Sequence, residues 1–215
     1  MKIYSLPNPL TGLLFDIDLT LYRHQEYYDS QITNQIKLLA HQRDQSPGEM
    51  EKEIHLWDQE YQKTHGGKKT SFGNILHGLY GVTIQESAAL RLEALRPEDY
   101  LVKDNLLRKT LKLLKKRWNI WALTNNAGEI GLRTLRVLGV EDLFPGVTGL
   151  EHSGFSKPSP QPFLKALEMA GFVKENTLSI GDRYDVDIAI PLELGMGGIL
   201  VETMEDVYNL PEVLT

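Results

Sequence analysis

The chain has 215 residues, 41% hydrophobic and 24% charged, with a formal net charge of −6 and no cysteine. That is ample for a core domain with an appendage. The acidic balance disfavours a nucleic-acid polymer or an anionic membrane surface as partner, and the missing thiols exclude disulfides, cysteine nucleophiles and cysteine–zinc sites.

The opening MKIYSLPNPLTG carries prolines where a signal peptide needs an apolar run, and no stretch approaches membrane-span length. A cytoplasmic protein without a membrane partner is therefore expected. Gly12 to Ile17 is a continuous apolar run that predicts a strand buried on both faces. Asp16 and Asp18 end it, and in extended backbone residues i and i+2 share a face. Two neighbouring carboxylates repel unless a cation or a proton relieves them. From Tyr22 to about Leu95 helix formers dominate, with breaks at Gln45–Gly48 and Gly66–Lys69. This segment reads as a small all-helical insertion, with Tyr27, Tyr28 and Trp57 packing its helices.

A strand–helix rhythm then resumes. Asp104 caps a helix with Leu107, Leu111, Leu114 and Trp118 inward, and the basic cluster Lys112 to Arg117 is its wet face. A strand at Ile120–Thr124, a helix at Gly128–Leu138 stopped by Gly139, and a short strand at Gly146–Gly149 follow. Next come a helix at Gln161–Ala170 stopped by Gly171, and a strand at Thr177–Ile180. A helix at Asp187–Leu194 tolerates Pro191 only in its first turn, and Gly198–Val201 is the last strand. Alternating strands and helices predict an α/β fold with a doubly wound parallel sheet, which binds ligands at the carboxyl ends of its strands. Asp16, Asp18, Thr124 and Asp182 all fall at such ends and are expected on one rim.

Four segments occur in order: DIDLT (Asp16–Thr20), ALTNN (Ala122–Asn126), SKPSPQPF (Ser156–Phe163) and GDRYDVD (Gly181–Asp187). Together they resemble the haloacid dehalogenase-like (HAD) phosphohydrolase superfamily, with its Rossmann-like core and, between the first two motifs, a helical C1-type cap. The resemblance implies a catalytic core over residues 1–21 and 97–215 and a cap over 22–96, hinged near Tyr22–Arg23 and Arg96–Tyr100. It makes Asp16 the nucleophile that forms an aspartyl-phosphate, and Asp18 the general acid/base. Asp16, Asp182 and the main-chain carbonyl of Asp18 would hold Mg²⁺, a hard cation suited to oxygen ligands. Lys157 would bridge nucleophile and phosphoryl oxygens. Thr124 and the amides of Asn125 and Asn126, at the positive end of a helix, would cradle the phosphate. Thr20 would brace the loop, and Asp187 would orient a water or Lys157. Arg183 is expected in a surface salt bridge, with reach to substrate as the alternative, and Asp185 as a solvated turn residue.

The implied activity is hydrolysis of a small phosphorylated metabolite by a monomer or weak homodimer. A weaker resemblance to the pyrimidine 5′-nucleotidase-like branch points to a nucleoside 5′-monophosphate, with Tyr61, His65 and Lys69 of the cap facing the substrate. A phosphomutase, a phosphoglycolate-type phosphatase and a non-catalytic HAD-fold regulator are the alternatives. Dehalogenase chemistry fits poorly, because a halide leaves without a proton and Asp18 would be idle.

Overall fold

The computed structural model describes residues 1–67 and 70–214. Among them β1 (Lys2–Ser5), β2 (Gly12–Phe15), β3 (Asn119–Leu123), β4 (Val147–Thr148), β5 (Thr177–Gly181) and β6 (Gly197–Leu200) form one sheet, ordered β1-β6-β5-β2-β3-β4. Central strands β2, β3 and β5 are buried almost throughout, as their unbroken apolar runs require. The register sets Phe15 beside Ala122 on one side and Ile180 on the other. The three strands therefore run out together, and the residues that follow share one edge.

The expected doubly wound parallel sheet is present, with one strand added at its edge, where β1 pairs antiparallel with β6. Nothing in the sequence announces β1: its four residues are mostly exposed and offer no apolar run. The expected first strand ends at Phe15, not Ile17. Beyond it Ile17 O accepts from both Thr20 N and Leu21 N, and Leu19 takes a φ of 57°. A left-handed leucine costs roughly 1–2 kcal/mol, so the acids sit on a tight turn, not along a strand.

Helices α1 (Gln25–Gln42), α2 (Pro47–Thr64), α3 (Phe72–Tyr80) and α4 (Ile84–Ala94) fill the insertion. Ser46, Ser71 and Thr83 cap the last three by accepting from backbone amides, each worth about 1 kcal/mol. Ile36, Leu39, Met50, Ile54, Leu76 and Leu90 form their shared core, with Trp57 against it. Tyr27 departs from its expected place: it is 1% exposed and packs with Tyr22 and Tyr100 in the sheet-side core. Ala88 and Leu95 meet Ala127 and Ile130, which seats the helical layer on the sheet domain.

The remaining helices are α5 (Asn105–Lys115), α6 (Gly128–Leu138), α7 (Leu150–Ser153), α8 (Pro160–Ala170), α9 (Ala189–Glu193), α10 (Met204–Tyr208) and α11 (Leu210–Val213). Leu13 and Phe15 face α5 and α6 residues such as Leu107, Leu111 and Leu135, whereas Leu14 faces Phe163 and Leu167 of α8. That alternation gives the sheet helices on both faces. Asp104 Oδ1 accepts from Leu106 N and Leu107 N, and α6 ends in a left-handed Gly139. The expected helix at Asp187–Leu194 is shorter: a π-turn, Tyr184–Ile188, precedes α9, which places Pro191 in the first turn where its missing N–H is harmless. No helix among the described residues is long and apolar enough to cross a membrane.

Candidate active site

Asp16 follows β2 directly, and its amide continues the ladder by donating to Ile180 O at 2.9 Å. Its carboxylate is enclosed: Oδ1 accepts from Lys157 Nζ at 2.6 Å and Oδ2 from Thr20 Oγ1 at 2.9 Å. Lys157 is 2% exposed and also donates to Asp187 Oδ1 at 2.7 Å. A reciprocal amide pair fixes its loop, with Lys157 N donating to Asn125 Oδ1 and Asn125 Nδ2 donating to Lys157 O. Asp187 lies in the π-turn with Oδ2 accepting from Arg183 N. A Cβ on Gly181 would lie 2.3 Å from the Asp187 Cβ, so the glycine before Asp182 is needed to seat Asp187 beside the lysine.

Carboxylate oxygens of Asp16, Asp182 and Asp187 lie within 4.8 Å of one another. Lys157 pairs with two of these acids, Asp16 and Asp187, and the third, Asp182, has only a longer contact to Arg183. Burial pushes Asp16 up to about 7, with Asp187, Asp18 and Asp182 adding to it and Lys157 opposing. Asp182 is pushed up to about 6, by burial first and Asp187 second. Burial alone would lower the Lys157 ammonium, but Asp16 and Asp187 outweigh it and hold the group above its usual range. Among the described residues Asp182 Oδ1 is buried without a hydrogen-bond partner, and Arg183 Nε, 3.8 Å away, makes a long ion pair with it beyond hydrogen-bond range. Surplus negative charge and an orphaned carboxylate oxygen fit a hard divalent cation.

Asp18 has a different setting. Its Oδ1 accepts from Tyr22 OH at 2.6 Å and Gln31 Nε2 at 2.9 Å, while Oδ2 accepts from Thr124 Oγ1 at 3.1 Å and Asn126 Nδ2 at 3.0 Å. Asn126 Nδ2 also donates to Gln31 Oε1 at 3.0 Å. Helix α1 is thereby tied to the sheet edge through Asp18.

The expected phosphate cradle changes in two respects. Thr124 Oγ1 accepts from Asn126 N at 3.0 Å, so that amide is already engaged, whereas Asn125 N has no protein acceptor among the described residues. The N-terminus of α6 is met by Glu151, whose carboxylate accepts from Gly128 N at 2.9 Å. The positive helix end is therefore turned to an acid of α7. The cap guesses also change. Tyr61 and His65 stack on each other at 3.9 Å away from the cavity, and Lys69 lies outside the described residues.

A cavity of about 240 Å³ opens over Asp16 and Asp18, walled on the helical side by Tyr28, Gln31, Gln35 and Arg91. Tyr28 thus lines this space instead of only packing helices, and Arg183 does so too while keeping its long contact to Asp182. Asp185 is exposed, as expected. Ser71 and Ser156 hydroxyls meet at 2.9 Å across the two layers. Gln31, Gln35 and Arg91 escape sequence reading, although one signal exists. Gln31 and Gln35 fall on the same helical stripe as Tyr27, Ile36 and Leu39, and polar residues on a buried stripe need a polar reason.

The family profile of the haloacid dehalogenase-like hydrolases matches residues 10–195. The chain is 27% identical to Phosphate metabolism protein 8 of Saccharomyces cerevisiae, over 98% of this chain and 68% of that protein. It is 39% identical over 66 residues to Acid sugar phosphatase of Staphylococcus aureus, which spans 29% of this chain and only 26% of the relative. In fold it is similar to 2-haloacid dehalogenase of Pseudomonas syringae pv. Tomato, with TM-score 0.60 and 20% identity over 95% of this chain and 98% of the other. The HAD hydrolase YfnB of Bacillus subtilis, solved bound to magnesium, gives 0.58 and 17% over 94% and 99%.

Proposed function

We propose that this chain, which belongs to the haloacid dehalogenase-like hydrolase family, is a Mg²⁺-dependent phosphomonoesterase acting through an aspartyl-phosphate on Asp16. The observation that carries the reading is the imbalance around Asp16: three clustered carboxylates against the Lys157 ammonium and a more distant Arg183, with an orphaned Asp182 oxygen. Such a set is costly unless a divalent cation and an anionic substrate complete it.

Asp16, Asp182 and the carbonyl of Asp18 hold the metal in this reading. When bound, the cation screens two anions that must meet and stabilises charge on the transferring group. Asp16 attacks phosphorus as the bond to the leaving oxygen breaks, and Asp18 gives that oxygen its proton. Water then attacks the aspartyl-phosphate, Asp18 takes the water's proton, and the bond to Asp16 breaks to release inorganic phosphate. Lys157 neutralises Asp16 and meets the phosphoryl oxygens, Asp187 keeps the ammonium aimed, and Thr20 holds the other Asp16 oxygen. Thr124 and Asn126 position Asp18, and the Asn125 amide is the donor left for the phosphoryl group. Residues 22–96 act as the cap that closes over the ester and excludes water.

The names of two relatives, one a phosphate-metabolism protein and one a sugar phosphatase, support phosphate ester chemistry. A leaving alkoxide needs a proton and a leaving halide needs none, so a phosphomonoesterase uses Asp18 where a dehalogenase would leave it idle. The substrate is a small phosphorylated metabolite, the working state is a monomer or weak homodimer, and the setting is cytoplasmic. Release of inorganic phosphate from p-nitrophenyl phosphate, with Mg²⁺ and with EDTA, tests the reading. A panel of nucleoside 5′-monophosphates, sugar phosphates and phosphoglycolate extends it. Turnover that needs Mg²⁺ is expected, and no turnover of any ester would overturn it.

A further inference from the structure

The cap contributes a buried cation that the chemistry at Asp16 does not use. Arg91, on α4, is 6% exposed. Its Nη1 is satisfied within its own helix, by the Ser87 carbonyl and hydroxyl. Its Nε is buried without a hydrogen-bond partner among the described residues. Its Nη2 makes no hydrogen bond among the described residues and lies 3.6 Å from where a Gly73 side chain would begin, on the wall of the cavity over Asp16 and Asp18. No carboxylate among the described residues reaches ion-pair distance. The acids whose charge reaches it are Asp18, already held by four donors, and Glu151, which caps α6.

A guanidinium carries five donors and no acceptor, and it matches a carboxylate or phosphate with paired bonds. Burying one unpaired is costly, and a merely structural helix residue has no means of recovering that cost. Burial indeed pushes this group down to about 10. Beside it, Gln35 lines the same cavity with its side-chain oxygen unpartnered, as an acceptor awaiting a donor. The cavity, at about 240 Å³, falls just under the roughly 300–1,000 Å³ of drug-sized sites, which suits a compact ester better than a nucleotide.

Resting on the phosphatase reading above, we propose that Arg91 is a second anion subsite, and that the substrate is a small phosphomonoester whose far end carries a carboxylate or a second phosphate. Arg91 is then a specificity residue: it meets the part of the substrate that does not react, and it makes cap closure depend on that part being anionic.

Matched pairs of esters test it. One pair is 2-phosphoglycolate against 2-hydroxyethyl phosphate, which differ in a terminal carboxylate. The other is a hexose bisphosphate against the hexose monophosphate. Wild-type protein is expected to favour the anionic member of one pair in kcat/KM by about 10- to 100-fold, the range of a charge-assisted hydrogen bond. Which pair responds distinguishes carboxylate from phosphate. Arg91→Gln should pull that ratio toward one, and Arg91→Lys should keep part of it, with thermal melts of both variants recorded alongside. A wild-type ratio near one in both pairs overturns the proposal, whatever the variants do. So does an Arg91→Gln protein that slows both members alike, which is the mark of a structural role, and so does a preference for nucleoside 5′-monophosphates. Turnover of p-nitrophenyl phosphate in the same assays keeps the two readings apart. If it is hydrolysed while the ratios are flat, only the Arg91 subsite fails. If no ester is hydrolysed, both readings fall.

Discussion

Lys157→Met removes the ammonium between Asp16 and Asp187 while roughly keeping side-chain length. The two ion pairs it breaks measure 2.6 and 2.7 Å, and both carboxylate side chains are at most 5% exposed. Breaking a buried pair by removing one partner costs about 3–5 kcal/mol, because the remaining charge stays buried. Proton uptake by Asp16, which burial already pushes up to about 7, limits that cost, so the loss should shrink as pH falls. At about 2–4 °C per kcal/mol for a chain of this size, the melting point should drop by roughly 6–20 °C. Lys165→Met is the control: its partner Glu168 is 70% exposed, and surface pairs contribute about 0–1 kcal/mol. Thermal unfolding in EDTA near neutral pH, followed by the fluorescence of Trp57, Trp118 and Trp121, measures both. Excess Mg²⁺ should recover part of the Lys157→Met loss, since it supplies a replacement cation. If Lys157→Met loses no more than Lys165→Met, the buried carboxylates do not depend on the ammonium and the reasoning fails.

Asp16 and Asp182 carry pKa values raised from 3.8 to about 7 and about 6. Their contribution to metal-free stability is therefore present below about pH 4 and lost as pH rises through 6 to 7. The melting-point gain from Mg²⁺, read by differential scanning fluorimetry, should grow across that window, and an equal gain at both ends would contradict the linkage. Asp18→Asn should lower steady-state turnover by about 10²- to 10⁴-fold. It should spare the first half-reaction of p-nitrophenyl phosphate, whose leaving group needs no proton, so a burst of nitrophenol should remain. Gly181→Ala drives a methyl into Asp187, 2.3 Å from its Cβ. Overpacking of this kind costs about 1–3 kcal/mol, and both melting point and kcat should fall.

Much of the rim was legible because its acids sit where apolar strands stop. Asp16, Thr124 and Asp182 each follow a buried run, and equal register brings their strands out together. Lys157 reaches the same point from a loop, held there by Asn125, a contact that local pattern does not reveal. The misses have physical causes. Strand β1 is short and exposed, so its partner β6 defines it rather than its own sequence. Glu151 and Gly128 lie 23 positions apart, and only folding turns the acid onto the helix end. Gln31 bonds Asp18 across the gap between two layers and Arg91 lines that gap, where the meaning of a polar residue on an inward stripe depends on what faces it.

Acid-quenched mass spectrometry of the protein during turnover looks for the covalent intermediate itself. Digestion should yield a peptide containing Asp16 that carries one phosphoryl group, labile to hydroxylamine and absent from Asp16→Asn. A phosphoryl group on any other residue, or steady hydrolysis by Asp16→Asn at the wild-type rate, would contradict the account.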